Sequence, residues 1–214
     1  MENTKPKKLK DSTKFLLAAL AIVVLGILLR VFVFTIFRID TTAMEPSMRS
    51  GKYTVACKLM TPGRNSRIVF TTYPDSLSPR GMRSIGRIIG MPGDTVQVVR
   101  GKVMINGKAI SSPHGVTYQD NYTIAVPVGG RRYKIDPLSL IAYRSAIRTE
   151  TADIAKGKYK FKSGMLFLDG VRLHDFVFKS DYYWILCDNQ AHGKPDSRHI
   201  GIIPAQNIES VVLF

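Results

Sequence analysis

The chain has 214 residues, 45% of them hydrophobic, and carries 31 Lys and Arg against 16 Asp and Glu, a formal net charge of +15. That length can bury one sizeable core, or one core with a small appendage. A balance this basic calls for an anionic partner: nucleic acid, anionic lipid or acidic protein. The sequence has no zinc-finger spacing, no aromatic RNA-binding box and no helix-turn-helix signature, so nucleic acid is not expected.

The distribution of charge favours a membrane surface. Residues 1–14 read as a basic cytoplasmic terminus, because Lys5, Lys7, Lys8, Lys10 and Lys14 stand just before an apolar run, as the positive-inside rule requires. The run itself, Phe15 to Phe37, is predicted to be a transmembrane helix. At about 1.5 Å per residue it spans ~35 Å, enough for a bilayer core. It is too long for a cleavable signal peptide, and no small-x-small site follows it promptly. Arg30, the one charge inside it, either snorkels to the outer headgroups or sits against protein. Everything from Arg38 onward is then expected outside the cytoplasm, anchored to the cytoplasmic membrane by a single span and in contact with membrane lipid.

Beyond that segment, short β-branched runs recur: Tyr53–Cys57, Arg67–Phe70, Thr95–Val99, Lys102–Ile105, Tyr182–Leu186 and Ser210–Leu213. Turn residues separate them at Pro62-Gly63, Tyr73-Pro74-Asp75, Pro92-Gly93-Asp94 and Asn106-Gly107. This spacing predicts a mainly β architecture. Asn106-Gly107 predicts a two-residue hairpin, since both residues accept positive φ. Residues 141–154 predict one further helix. Residues 111–179 carry no recognisable motif and read as an inserted, cap-like region, leaving 38–110 and 180–214 as the β core. Cys57 and Cys187 either pair in an oxidising compartment or remain two separate buried thiols.

Three motifs carry a resemblance. The first is Ile39-Asp40-Thr41-Thr42-Ala43-Met44-Glu45-Pro46-Ser47-Met48. The second is Gly86-Arg87-Ile88-Ile89-Gly90-Met91-Pro92-Gly93-Asp94. The third is Cys187-Asp188-Asn189-Gln190, followed by Asp196-Ser197-Arg198 and by Gly201 and Pro204. In this order, behind a membrane segment, they resemble the boxes of type I signal peptidases, membrane-anchored Ser/Lys endopeptidases of peptidase family S26. The resemblance implies a signal-peptidase-like extracytoplasmic β domain, and signal peptides or preproteins as what it meets, with the Sec translocon or other secretion-complex subunits as further partners.

The same resemblance shows what is missing. The nucleophilic serine should stand just before Met44, and Ala43 stands there. The general-base lysine should open the second box, and Gly86 stands there. Arg87 is no substitute, because a guanidinium stays protonated. The serine that orients the lysine is absent from the loop Gln190 to Pro195, which is one residue longer than the pattern. Three losses fit a natural loss of activity better than one engineered change. Thr41 occupies the position whose hydroxyl helps form the oxyanion hole. Thr42 is a remote candidate for a shifted nucleophile, with no visible base. Met44 and Pro46 are implied to contact substrate, and an apolar surface around Met44 to Met48 is expected at the bilayer. Asp188, Asn189, Asp196, Ser197 and Arg198 are implied to be structural neighbours of the site, Asp196 and Arg198 as an ion pair. Lys194 reads as a solvated loop lysine. His114, His174, His192 and His199 are scattered without metal-ligand spacing, so neither metal nor cofactor is expected.

The resulting expectation is a proteolytically inactive, signal-peptidase-like membrane protein that binds signal peptides or secretion partners. Two alternatives stay open: an active serine endopeptidase carrying an engineered Ala43, and a non-catalytic scaffold subunit of a secretion complex.

Overall fold

The computed structural model describes residues 11–73, 81–100, 102–110, 121–152, 158–189 and 196–213. Lys5, Lys7, Lys8 and Lys10, the turn at Pro74-Asp75, His114, and Gln190, His192 and Lys194 of the 190–195 loop lie outside them.

The helix α1 (Asp11–Leu28) is built from Leu, Ala, Ile and Val, and none of its described side chains is buried against protein. With the wider π turn Leu29–Val33 it makes a span, Ser12–Val33, long and apolar enough to cross a bilayer. Helical backbone stops there, earlier than the predicted end at Phe37. Phe34–Arg38 is instead strand β1, paired antiparallel with β2 (Tyr53–Cys57) from Phe34↔Cys57 to Arg38↔Tyr53. Phe34, Thr35, Ile36 and Phe37 suit an extended backbone better than a helix. Lys58 fixes the changeover: its Nζ donates to the Val31 carbonyl at 2.7 Å and its N–H to the Val33 carbonyl at 2.8 Å.

The remaining strands are β3 (Arg67–Thr72), β4 (Met82–Gly90), β5 (Thr95–Val99), β6 (Lys102–Ile105), β7 (Lys108–Ala109), β8 (Tyr122–Ala125) and β9 (Arg132–Lys134). After helix α2 (Ser139–Thr151) come β10 (Tyr159–Lys162), β11 (Met165–Leu168), β12 (Val171–Leu173), β13 (Asp175–Val177) and β14 (Tyr182–Leu186). The short helix α3 (Ser197–Ile200) precedes β15 (Ile203–Pro204) and β16 (Ile208–Val212). The fold is mainly β. A seven-stranded sheet runs β1-β2-β16-β3-β4-β14-β15, and a four-stranded sheet runs β7-β6-β5-β8. β10-β11-β12 and β9-β13 form two small sheets.

The predicted Asn106-Gly107 hairpin forms: Ile105 faces Lys108, and both turn residues have positive φ (51° and 77°). The four-stranded sheet draws on both sides of the boundary expected at residue 110, since β5 pairs β6 on one edge and β8 on the other. One core cluster accordingly joins Val96 and Val98 to Tyr143 and Ile147 of α2 and to Trp184 and Leu186 of β14.

The large sheet is buried on both faces. Alternation along β3 sends Val69 one way, with Met44, Met48 and Ile85, and sends Ile68 and Phe70 the other way, with Ile88, Tyr183 and Ile185. Every residue of β14 is buried. By contrast, the outward face of the β1–β2 hairpin exposes Phe34, Ile36 and Tyr53, so an apolar surface continues from the membrane span onto the sheet.

Candidate active site

The first motif is the loop that joins β1 to β2. Its base is closed by the Ile39 N–H on the Lys52 carbonyl (2.9 Å) and the Gly51 N–H on the Ile39 carbonyl (2.7 Å). Met44 and Met48 turn inward and pack with Ile39, Ala56, Val69 and Val212. Met44 has 0% of its surface exposed, so the side chain implied to contact substrate is a core residue. The reason is its place in the loop. The Met48 N–H bonds the Met44 carbonyl (2.9 Å), which turns both thioethers onto the sheet. Pro46 and Ser47 remain exposed on the outer side. The exposed apolar surface nearest the span is therefore the β1–β2 face rather than residues 44–48.

Position 43 is buried at 4% exposure, and its methyl group offers no nucleophile. The third motif grips the backbone on either side of it. The Asn189 N–H donates to the Ala43 carbonyl at 2.8 Å, and Asn189 Nδ2 donates to the Thr42 carbonyl at 3.0 Å. The Ala43 N–H donates to Thr41 Oγ1 at 3.1 Å. The amide at position 43 is thus already engaged by the Thr41 hydroxyl oxygen.

Gly86 lies in the middle of β4, opposite Ile68 of β3. A Cβ placed there would sit 2.4 Å from Ile185 Cγ2 and 3.1 Å from Phe70 Cε1. Carbon atoms in contact prefer about 3.5–4.0 Å. The volume in which a lysine stem would begin is therefore filled by the β-branched methyl of Ile185. Arg87, next along the strand, has a different task. Its Nε donates to Asp188 Oδ1 at 2.7 Å and its terminal nitrogen to Oδ2 at 2.6 Å, and another N–H donates to the Asn65 carbonyl at 2.9 Å. Hydrogen bonding to Asp188, opposed by burial and reinforced by the carboxylate's charge, raises the guanidinium's affinity for its proton. Arg87 is thereby still less able to act as a base. Ser47 Oγ lies within reach of the same carboxylate and of the Met44 carbonyl (2.8 Å), and its single proton serves the charged carboxylate. Ser47, Arg87 and Asp188 so lock the three motifs together, and positions 43 and 86 are linked through Asn189, Asp188 and Arg87.

Below this lock lies a buried ion pair. Arg198 and Asp196 meet at 2.6 Å with side chains 2% and 0% exposed. Asp196 also caps α3 by accepting the Arg198 N–H (3.1 Å) and takes the Cys187 N–H (3.3 Å). Burial alone would push its carboxyl up. Hydrogen bonds from His199 and Arg198, with the arginine's charge, outweigh that and hold it below the usual range. Ser197 Oγ accepts the Ile185 N–H at 2.8 Å, which pins α3 to β14. Asp94, closing the second motif, binds Arg64 (2.8 Å), Asn106 Nδ2 (2.8 Å) and the Met91 N–H (2.7 Å). Its carboxyl too is held low, against the effect of burial.

Cys57 is half-buried, Cys187 is buried, and neither is in a disulfide. Among the described residues no group of three or more His, Cys, Asp and Glu is arranged to hold a metal. The surface left for a ligand is backbone. Met82–Gly86 of β4 has β3 on one side and, among the described residues, no strand on the other, because β14 pairs only with Arg87, Ile88 and Gly90. Sequence reasoning reached Ala43, Gly86, Asp188 and Asn189 but missed Ile185 and the Ser47–Asp188–Arg87 lock. No spacing rule signals contacts between residues so distant in the chain.

The family described as signal peptidase, peptidase S26 matches residues 12–214. Signal peptidase I of Bacillus amyloliquefaciens is 30% identical over 139 residues, which cover 60% of this chain and 72% of its own. Signal peptidase I of Aquifex aeolicus strain VF5 is 26% identical over 222 residues, covering 89% of this chain and 78% of its own. The crystal structure of a signal peptidase I from Enterococcus faecalis V583 covers 72% of this chain and 98% of its own at 20% identity, with a TM-score of 0.34.

Proposed function

The chain belongs to the signal peptidase S26 family, and on that premise we propose that it is a catalytically silent member. It binds signal peptides or preproteins at the outer face of the cytoplasmic membrane without cutting them. The observation that carries this reading is at position 86: the general-base position holds a glycine, and Ile185 occupies the space a side chain there would need. Ala43 removes the nucleophile as well. Acyl transfer needs a nucleophile and a base within hydrogen-bond reach, and the pair is absent at the two positions that should supply it.

Binding needs neither. An extended peptide adds a strand to an open sheet edge through main-chain hydrogen bonds, and Met82–Gly86 offers such an edge. The Thr41 hydroxyl is left to donate to a peptide carbonyl. The single span, amino terminus inside, holds the domain against the membrane with the Phe34, Ile36 and Tyr53 face at the lipid. Subunits of the Sec translocon or of another secretion complex are the partners that would bring preproteins to it.

The test uses the full-length protein in lipid nanodiscs and a signal peptide bearing a photoreactive residue near its cleavage site. The expected result is saturable cross-linking to residues 41–43 and 82–86, with the peptide recovered intact. Cleaved peptide would mean an active peptidase. Cross-linking no better than to a scrambled peptide would leave the scaffold reading, in which the domain holds other membrane proteins.

A further inference from the structure

The arginines that brace the large sheet and the site are each paired with a carboxylate: Arg64 with Asp94, Arg83 with Glu209, Arg87 with Asp188, and Arg198 with Asp196. Arg144 and Arg148 of α2 are built differently. Both guanidiniums lie over the ring of Phe161 in β10, at 5.3 and 5.4 Å from its centroid. Both are exposed, and among the described residues neither meets a carboxylate. Like charges at i and i+4 on a helix repel. Among the described residues, Glu150 accepts the Lys179 N–H and the Tyr182 hydroxyl, and Asp136 accepts the Leu138 and Ser139 N–H groups at the start of α2.

Beside this pair a cavity of about 420 Å³ opens between the start of α2 and the tip of the β10–β11 hairpin. Pro137, Leu140, Ile141, Phe161 and Met165 give it apolar walls, and Arg144 and Ser163 polar ones. The shared Phe161 ring holds the two guanidiniums close together at the surface, where their N–H groups can meet a ligand. Arginine forks suit phosphate oxygens in bidentate fashion.

We propose that this cavity is a binding site for a phosphate-bearing lipid, with the phosphate held by Arg144 and Arg148 and the adjoining apolar part seated among Leu140, Ile141 and Met165. The span at the amino terminus keeps the site close to such lipids, so modest affinity suffices. The site is separate from the motif cluster and would bias how the β10–β12 unit sits at the membrane.

The experiment is a titration of the detergent-solubilised full chain with short-chain phosphatidic acid, read by hydrogen exchange of residues 158–173. Phosphatidylcholine of the same chain length and inorganic phosphate are titrated in parallel. Saturable protection by phosphatidic acid is expected, at least tenfold tighter than by phosphatidylcholine. Arg144→Gln with Arg148→Gln should weaken it at least tenfold. Arg144→Lys with Arg148→Lys, which keeps the charge and loses the planar fork, should fall between. Inorganic phosphate binding as tightly as the lipid would overturn the apolar half of the site. Equal binding of the zwitterionic lipid, or no loss in the double Gln variant, would overturn the proposal.

Discussion

Adding one methyl group at position 86 tests the packing around the glycine of the second motif. The Cβ of Gly86→Ala would sit 2.4 Å from Ile185 Cγ2 and 3.1 Å from Phe70 Cε1. It needs about 1 Å more room to reach ordinary carbon contact. Ile185 cannot yield by turning, because β-branching restricts its χ1 and it is wholly buried. Overpacking of this kind costs about 1–3 kcal/mol. The smaller backbone entropy of the unfolded alanine returns roughly 0.4–1 kcal/mol, so Gly86→Ala should destabilise by ~1–2 kcal/mol net.

The clashing atom is Cγ2, which valine keeps and leucine lacks. Ile185→Leu should therefore rescue Gly86→Ala, with a favourable coupling of about 1 kcal/mol or more in a double-mutant cycle. Ile185→Val should not. The assay is denaturant unfolding of the detergent-solubilised protein followed by fluorescence of Trp184, the lone tryptophan, fully buried in β14 and separated from the β1–β2 hairpin by three strands. A neutral or stabilising Gly86→Ala, or equal rescue by leucine and valine, would refute the reasoning.

Three further outcomes follow from the buried polar groups. Asp196→Ala should cost about 3–5 kcal/mol, since it leaves Arg198 charged, buried and unpaired; loss of stability by the same unfolding assay checks it. Asp94 and Asp196 both have folded pKa values below the ordinary carboxylate, so their contribution is complete above about pH 4 and is lost as the pH falls through their folded values. Stability from these groups should be flat between roughly pH 5 and 7 and drop below about 4, and Asp94→Asn should reduce the drop. Ser210 Oγ is buried with no hydrogen-bond partner among the described residues, so Ser210→Ala should stabilise by roughly 1 kcal/mol, seen as a higher denaturation midpoint.

Much of the fold is readable from alternation alone. Tyr53–Cys57, Thr95–Val99, Lys102–Ile105 and Tyr182–Leu186 are strands with the predicted ends, because β-branched and aromatic residues there meet clear turn signals. The strand β1 was hidden because Phe34–Phe37 continues an apolar run, and short apolar stretches carry no period that separates helix from strand. β4 was hidden for the opposite reason: Ser84, Gly86, Arg87 and Gly90 interrupt its pattern, and it is held in place by β3 and β14 rather than by its own propensity. Within the site, the positions of Ala43 and Gly86 are legible as departures from a known pattern. What fills the space beside Gly86 is not, since Ile185 reaches it from a strand almost a hundred residues later. Met44 shows the same limit in reverse. Its motif position suggests contact with substrate, while its loop geometry places it in the core.

The packing also shapes what a serine and a lysine placed at positions 43 and 86 would require. Ala43→Ser with Gly86→Lys would return both reactive groups on paper, yet the lysine would start inside Ile185. A third change, Ile185→Leu, is needed before absence of activity in a restored variant says anything about the peptide groove.

The most direct measurement of the central claim is cleavage of a purified preprotein by the full-length protein as it stands, reconstituted in lipid and followed to long times. The account predicts intact preprotein, with signal-peptide cross-linking retained. Accurate removal of the signal peptide by a sample that loses the activity on Thr42→Val would contradict it. A substitute nucleophile beside Ala43 would then be at work.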